Sequence, residues 1–333
     1  MVKDLLKHIS MACAALTTVA ACVSCGRTNA GSYAAGSVQI ACDATFQNIM
    51  EQEIFVFESR YKNSSILALY VDEYAAIDSL MNKDNRVYMA VTTRPLNSQE
   101  ISELGRQKRT VSQQAIAVDA VALIVNPANP ITALDYQDVA DILSGKYTKW
   151  SDIPGAGDLG DIQVVFDHSG SSTTRFMTDS VLNGKPFGQN VYAQKSPAEV
   201  FEAVAHRKNA IGIIGAGWLS SDMSGRELSD EEIARLENDA DTTSIASFST
   251  DIKVLKVAPK DSPIAYYPDQ YNIYNGKYPF HRQIYLISTA SPSTVGHSFY
   301  SFVTSSVGQK IILTSGVCPK VITPQFVDVV KPE

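Results

Sequence analysis

The segment "FDHSGSSTTRFM" (166–177) concentrates small polar side chains where a predicted strand becomes a predicted helix. Its hydroxyl donors are Ser169, Ser171, Ser172, Thr173 and Thr174. Gly170 would let the backbone approach a ligand, and the first N–H groups of a helix have no partner within that helix. These groups together suit an anion. The alternative is an ordinary capped turn. The segment matches neither the P-loop pattern nor the nucleophile elbow of hydrolases.

Two further junctions carry polar side chains after a predicted strand. "CDATFQN" places Thr45 and Phe46 at the start of a helix, where Thr45 would add a donor beside free N–H groups. The alternative is that Asp43 or Thr45 only caps that helix. "VTTRPL" contains Thr93 and Arg94, and Arg94 could hold an oxyanion in forked geometry or form a surface ion pair. Ligands of open α/β sheets bind beyond the carboxyl ends of the strands, so these junctions are candidates for a binding site.

Catalysis and metal binding have little support in the sequence. Asp167, His168 and Ser169 are adjacent, but neighbouring residues of a turn point in different directions and make poor triad geometry. The five His residues are scattered, and there is no paired C-x-x-C motif. We therefore predict that the protein is not an enzyme and that it uses no cofactor or metal.

Strands and helices must alternate to position these junctions. The predicted strands cover 37–43, 64–71, 86–93, 114–127, 162–167, 211–215 and 280–289. The predicted helices cover 44–61, 73–84, 135–145, the residues after the 166–177 segment to about 182, 196–210 and one or two helices in 293–316. "LSDEEIARLEND" in the acidic segment 222–250 suggests a surface helix. Apolar strands separated by helices indicate parallel sheets covered on both faces, here in two α/β units.

Composition limits the function classes. A chain of 333 residues suggests two domains, and 45% hydrophobic residues supply a sizeable core. The formal net charge of −7 and the lack of a basic run argue against nucleic acid as a partner.

The N-terminus resembles a secretion signal. Lys3 and Lys7 precede the apolar run 9–21, which is short for a membrane span. "VAAC" resembles a bacterial lipobox and predicts acylation at Cys22, with Cys25 as a second candidate and an ordinary cleaved signal as the alternative. Residues 1–21 would be the signal and 22–37 a flexible tether. The remaining cysteines, Cys42 and Cys318, could form one disulfide or be two buried apolar residues.

The order of five motifs resembles the PstS-like family of periplasmic phosphate-binding proteins of ABC importers. The segment 115–153 resembles the central block of that family, with its residues Leu134, Ile142, Gly145, Lys146 and Trp150. "FDHSGSSTTRFM" falls where the family has an Asp-Gly-Ser-Gly-Thr loop, and "DATF" where it has Gly-Ala-Thr-Phe. "NAIGIIGAGWL" and "KYPFHRQIYLIS" resemble two later segments. The resemblance spans roughly residues 38–320.

The resemblance implies a type II periplasmic-binding fold, in which two lobes of mostly parallel sheet flanked by helices are joined by two crossover strands. Residues 38–117 and 279–333 would form lobe I, and 118–278 would form lobe II. The implied ligand is inorganic phosphate, bound by Thr45, Phe46, Ser169, Gly170 and Ser171. The implied partners are the membrane permease of an ABC importer and, through acylation, membrane lipid. We predict a monomer in the cell envelope, facing the periplasm.

The sequence also departs from the family. The family's cleft Arg falls on Val165, and Arg175 or Arg94 could restore its charge. The family's acidic acceptor falls near Thr93, which is no carboxylate. The family's second-junction Ser falls near Glu73 and Tyr74, so Glu73 could accept a phosphate proton instead, or could only favour its helix N-terminus. His168 and Ser172 complete the weaker candidates. Another tetrahedral oxyanion, or a sensory or surface protein that reuses the fold, are the alternatives.

Overall fold

Three clusters of buried apolar residues, one in lobe II and two in lobe I, divide the described chain into two lobes. The computed structural model describes residues 35–219 and 251–321. We call lobe I the part packed around the strands at residues 36–43, 64–71 and 87–92. Lobe II is the part packed around the strands at residues 163–166, 191–193 and 210–215. Nearly all members of the lobe II core come from residues 120–280, whereas those of lobe I come from 38–117 and 284–317. The exact lobe boundaries given above stay a prediction.

The strands form one long sheet and one small pair. Their bounds are β1 (Gly36–Asp43), β2 (Ser64–Val71), β3 (Val87–Thr92), β4 (Ser112–Val125), β5 (Ala133–Asp135), β6 (Gln163–Phe166), β7 (Val191–Ala193), β8 (Ala210–Gly215), β9 (Lys253–Val254), β10 (Lys256–Ala258), β11 (His281–Ser288) and β12 (Cys318–Pro319). The order in the long sheet is β2-β1-β3-β11-β4-β8-β6-β7, with β9 and β12 also paired to β4; β5 pairs with β10.

The strand directions explain how the lobes are joined. Strands β1, β2 and β3 are parallel, as are β6, β7 and β8. Strands β4 and β11 are antiparallel to each other and lie in the middle. Strand β4 pairs with β11 as far as Ala120 and with β8 from Val121 onward, so this one strand runs from lobe I into lobe II. The chain crosses a second time at the start of β11, since Phe280 packs in the lobe II core and Ile284 in lobe I. The predicted two-lobe α/β fold with two crossing strands is confirmed.

Helices cover the sheet. They are α1 (Gln47–Arg60), α2 (Glu73–Met81), α3 (Ser98–Arg106), α4 (Tyr136–Leu143), α5 (Ser172–Phe176), α6 (Pro197–His206), α7 (Gln270–Tyr274), α8 (Val295–Val303) and α9 (Ser306–Thr314). Three of them begin with a side chain that caps a free N–H group close to a candidate junction: Asp72 caps α2, Asn97 caps α3 and Ser171 caps α5.

Two helices differ from the sequence prediction, and the open choice between one and two helices in 293–316 is decided. The predicted helix 44–61 begins with a 3₁₀ turn, Ala44–Phe46, because the Asp43 side chain accepts the N–H of Thr45. The helix predicted to follow the segment 166–177 begins inside it, at Ser172, and widens into a π-helical turn at Met177–Val181. The predicted segment 293–316 is two helices, because Ser305 caps the second.

Cys42 and Cys318 are both buried and free, so the alternative of two small buried residues holds and the disulfide does not. Burial raises the pKa of both thiols, which disfavours the reactive thiolate. The signal, Cys22, Cys25 and the segment 222–250 lie outside the described residues. Within those residues, no helix is long and apolar enough to cross a membrane.

Candidate functional site

The first and second junctions meet across the two lobes. The Thr45 hydroxyl donates to Asp167 Oδ2 at 3.4 Å, over 122 positions of sequence. The N–H of Ser172 donates to Asp43 Oδ2 at 3.2 Å, over 129 positions. Thr45 and Ser172 are both buried. The carboxyl ends of β1 and β6 therefore face each other, with the N-terminus of α5 between them.

Asp43 bridges both lobes. Its Oδ1 accepts the N–H of Thr45 at 2.9 Å, and its Oδ2 accepts from the α5 N-terminus. The side chain is fully buried. Burial raises the pKa of Asp43, and the hydrogen bonds from Ser172 and Thr45 and the charge of Arg282 oppose that rise only in part. Asp43 stands where the resembling motif has Gly, so the cleft contains an acidic group whose neutral form is favoured by burial.

Arg282 supplies the buried cation of the cleft. It lies on β11 opposite Asp119 of β4, and its Nε and Nη2 donate to Asp119 Oδ2 at 3.2 and 3.0 Å. The other contacts of the guanidinium are hydroxyls at the start of α5: Ser172 Oγ at 3.1 Å and Thr173 Oγ1 at 3.2 Å. Its Cζ lies 5.3 Å from the centre of the Phe46 ring. Strands β4 and β11 together position the Arg282 guanidinium so that it contacts both Phe46 of the first junction and the start of α5.

Asp119 leaves an acceptor unused at this position. Its Oδ1 is buried and has no hydrogen bond of good geometry among the described residues, although the N–H groups of Ala120 and Gly217 lie close enough to lower the pKa of the carboxyl in part. Burial raises the pKa of Asp119, while the charge and hydrogen bonds of Arg282 lower it in part. The site therefore contains more buried carboxyl groups than guanidinium groups. It can accept a hydrogen bond from a protonated ligand as well as donate hydrogen bonds to it.

A second group of polar side chains joins the lobes through Glu73, Thr93 and Arg175. Glu73 Oε1 accepts from the Thr93 N–H at 2.5 Å and from its hydroxyl at 2.6 Å. Arg175 of α5 donates to Glu73 Oε2 at 2.5 Å and to the Thr93 hydroxyl at 2.5 Å. Burial alone would raise the pKa of Glu73, but the hydrogen bonds from Arg175 and Thr93 outweigh it and leave the pKa below its usual value. Glu73 is therefore the charged partner of an interlobe ion pair.

The remaining candidates lie in several environments. Arg94 donates to both oxygens of Glu100, at 2.9 and 2.8 Å, and this pair lies within lobe I. Tyr74 is 81% exposed on α2. Ser169 and Gly170 are exposed, His168 is half-buried and Ser171 is buried, with its Oγ accepting the Thr174 N–H. Val165 packs in the lobe II core.

Two glycines allow the lobes to approach. A Cβ atom on Gly170 would lie 3.1 Å from the side chain of Asp72, which belongs to lobe I. A Cβ on Gly215, at the end of β8, would lie 2.9 Å from Thr45 Cγ2 and 3.3 Å from Asp119 Oδ2. Real Cβ contacts are rarely so short, so the absence of a side chain at Gly215 leaves the space that Thr45 occupies.

Sequence reasoning did not identify Asp43, Asp119 and Arg282 as candidate ligand-site residues. Two signals were available. Asp119 interrupts the apolar run "AIAVDAVALIV", and Arg282 shares the strand parity of the buried residues Ile284 and Leu286. A charged residue on the buried side of a strand requires a partner, which these two provide for each other.

The arrangement favours binding over bond breaking. Hydroxyls, helix N–H groups and one buried guanidinium donate hydrogen bonds, and buried carboxyls accept them, which suits an oxyanion that carries a proton. Within residues 35–219 and 251–321, no group of three or more His, Cys, Asp and Glu side chains is placed to hold a metal ion.

Comparison with known proteins identifies a family and a shared fold. A family model described as "PBP superfamily domain" matches residues 27–307. The chain is 23% identical over 286 residues to the phosphate-binding protein PstS of Pseudomonas aeruginosa, covering 77% of this chain and 80% of that protein. It is 24% identical over 289 residues to PstS of Borreliella burgdorferi, covering 84% and 88%. A candidate phosphate ABC transporter substrate-binding protein from Clostridium perfringens, solved with bound phosphate, has the same fold, with a TM-score of 0.66, 22% identity and coverage of 85% of this chain and 99% of that one.

Proposed function

Because the chain belongs to the PBP superfamily, we propose that it is a solute-binding protein that captures inorganic phosphate between its two lobes and delivers it to the membrane permease of an ABC importer. The names of its relatives support phosphate as the ligand. The observation that carries the proposal is the meeting of Thr45 and Asp43 of lobe I with Asp167 and Ser172 of lobe II. A ligand held between such contacts favours the closed arrangement of the lobes.

The proposed donors come from both lobes. Thr45 and Phe46 bind from lobe I, through a hydroxyl and backbone N–H groups. Ser169, Gly170 and Ser171 bind from the loop before α5, where the N-terminus of that helix favours negative charge. Arg282 supplies the positive charge that Val165 does not, because its guanidinium already reaches the hydroxyls at the start of α5.

We assign the acceptor of the phosphate proton to Asp43 in preference to Glu73. Glu73 is committed elsewhere, because its Oε2 forms an ion pair with Arg175 and its Oε1 accepts two hydrogen bonds from Thr93. Asp43 lies at the helix N-terminus, where an oxyanion would bind, and each of its oxygens accepts one backbone N–H, so the ionised carboxylate has lone pairs left to accept a phosphate proton. Phosphate carries a proton at neutral pH and sulfate does not, so an acceptor at this position discriminates between the two.

The proposal extends to the oligomeric state, membrane attachment and lobe boundaries of the protein. The chain acts without catalysis or cofactor, as a monomer. Acylation of Cys22, or of Cys25, anchors it to a membrane of the cell envelope, where it faces the periplasm. Residues 38–117 and 279–333 form lobe I, and residues 118–278 form lobe II.

Calorimetry on protein freed of phosphate by unfolding and refolding tests the proposal. Phosphate and arsenate should bind at one site, and sulfate and molybdate much more weakly. Thr45→Ala combined with Ser169→Ala should weaken phosphate binding by about 100-fold or more, since each lobe loses a donor to a charged ligand, worth about 1.5–3 kcal/mol each. If none of the four anions bound, the receptor function would be refuted.

The acceptor is tested by a pair of variants. Asp43→Asn should reduce the preference for phosphate over sulfate, because an amide can donate to either anion. Glu73→Gln should keep that preference while weakening both anions. The opposite pattern would move the acceptor role to Glu73.

A further inference from the structure

We propose that a basic cavity on lobe I, separate from the interlobe cleft, binds the phosphate headgroup of an anionic phospholipid and holds this edge of the protein against the membrane surface. The cavity has a volume of about 340 Å³. Four cationic side chains line it: Lys83, Arg86, Lys108 and Arg109. They come from the turn before β3 and from the segment that joins α3 to β4.

Arg109 is held in place by neutral groups. Its Nη1 donates to the carbonyl of Leu80 at 2.5 Å and its Nη2 to the carbonyl of Val87 at 2.8 Å. Nη2 and Nε also donate to the Thr289 hydroxyl, at 2.5 and 3.2 Å. No carboxylate of the described residues balances this half-buried charge. These four bonds leave one of the five N–H groups of Arg109, on Nη1, for an incoming phosphate, and the uncompensated positive charge attracts such a ligand.

The other three cations are free to turn toward the same ligand. Lys83, Arg86 and Lys108 are exposed, and none forms an ion pair with another described residue. The acid nearest in sequence is Asp84, which is also exposed. Counting the four cations against Asp84 gives a local charge of 4 − 1 = +3, in a chain whose net charge is −7. The cavity is therefore a basic patch on an acidic protein.

The cavity lies beside the start of the first strand. Ala290 lines the cavity. A Cβ on Gly296 would lie 2.7 Å from Ala290 Cβ and 3.1 Å from Cγ2 of Val38, the third residue of β1. Val87, which also lines the cavity, is in register with Gln39 of β1. The cavity wall is thus in contact with the point where the N-terminal segment joins lobe I.

The proposed lipid anchor brings that point close to the bilayer, and on this the inference rests. From Cys22 to Gly36 there are 36 − 22 = 14 residue steps. A flexible segment of that length spans about 20 Å on average. Anionic headgroups attract basic side chains within about one Debye length of the surface, and each such residue strengthens binding about five-fold. The tether and the cavity together would fix which edge of lobe I faces the lipid.

Vesicles of two compositions test the inference on the mature, acylated protein. One set is phosphatidylcholine alone, and the other contains about 30% phosphatidylglycerol. Sedimentation measures retention, and hydrogen–deuterium exchange measures protection of peptides that cover 83–88 and 107–110. The charge-reversal variant is Lys83→Glu, Arg86→Glu and Lys108→Glu. Its matched control reverses three exposed lysines of lobe II: Lys185, Lys195 and Lys208.

In the wild type and the control, both peptides should exchange at least about three-fold more slowly on vesicles with phosphatidylglycerol than on phosphatidylcholine alone. This protection should disappear at about 0.3 M salt, and the cavity variant should show no such protection on either lipid. Equal exchange on both lipids for the wild type would overturn the inference. Failure of the protein to stay bound to neutral vesicles would refute the lipid anchor. In that case, binding to phosphatidylglycerol vesicles by the wild type, lost in the cavity variant, would still show that the cavity binds anionic lipid. A second site for inorganic phosphate in calorimetry, lost in the cavity variant without any lipid effect, would assign the cavity to free phosphate and refute the lipid headgroup.

Discussion

Arg175 should act as a latch between the lobes, and Arg175→Ala should weaken phosphate binding without unfolding the protein. The guanidinium reaches Glu73 and the Thr93 hydroxyl, both of lobe I, from α5 of lobe II. These bonds exist only when the lobes are together, so they stabilise the closed arrangement to which the ligand binds. Their loss favours the open arrangement and shortens the lifetime of the complex.

The magnitude follows from the environment of the pair. The Glu73 side chain is 4% exposed and that of Arg175 is 41% exposed. Exposed ion pairs contribute about 0.2–1 kcal/mol, and truncating one partner of a buried pair costs about 2–5 kcal/mol. A pair with one buried partner lies between these limits, at about 1–2 kcal/mol. The phosphate Kd should therefore rise about 5- to 30-fold, mostly through faster dissociation.

Arg94→Ala is the matched control. Arg94 also pairs with a glutamate, but Glu100 lies in the same lobe. Its removal should change the phosphate Kd by less than about two-fold, since the pair is the same in the open and closed arrangements. Stopped-flow dissociation and calorimetry on both variants measure the effect. An unchanged Kd for Arg175→Ala, or equal losses in the two variants, would refute the latch.

Three further predictions address the buried groups. Arg282→Met should destabilise the protein by about 3–5 kcal/mol at neutral pH, because Asp119 loses its counter-ion; adding Asp119→Leu should restore the melting temperature but not phosphate affinity, and recovery of both would make the pair purely structural. Gly215→Ala should raise the phosphate Kd about ten-fold and lower the free energy of unfolding by about 1–3 kcal/mol, because its Cβ would meet Thr45 at 2.9 Å; an unchanged Kd would show that the cleft adjusts freely. Glu53→Met should stabilise the protein by about 1–3 kcal/mol near pH 8 and less near pH 5 in urea unfolding; equal gains at both pH values would contradict it.

The pH dependence expected for Glu53 follows from its burial. Both carboxylate oxygens are buried without a partner among the described residues, and burial raises the pKa of Glu53 well above its usual value. A group whose pKa is higher in the folded state binds more protons there than in the unfolded chain. Stability is therefore complete below the unfolded pKa and falls as pH rises through the folded pKa. The methionine variant has no such proton and should lack this fall.

Local sequence patterns predict most of the fold, because apolar runs and capping residues determine where individual strands and helices begin and end. The apolar runs at 64–71 and 210–215 are strands, and Ser196 followed by Pro197 begins a helix as expected. What the patterns miss is decided by contacts distant in sequence. The partner of Arg175 is 102 positions away, and that of Arg282 is 163 positions away. A single sequence does not show how such distant segments align with one another. It therefore indicates the candidate binding loop before α5, but not which arginine side chain contacts it.

The central claim is that one oxyanion binds between the Thr45 junction and the loop before α5. A crystal structure of the protein with phosphate, repeated with arsenate to mark the ion by its anomalous scattering, tests this most directly. We expect one tetrahedral ion within hydrogen-bond distance of the Thr45 hydroxyl and of the N–H groups of the loop before α5, with an Asp43 oxygen facing one of its oxygens. An ion bound elsewhere, or no ion between the lobes at saturating phosphate, would contradict it.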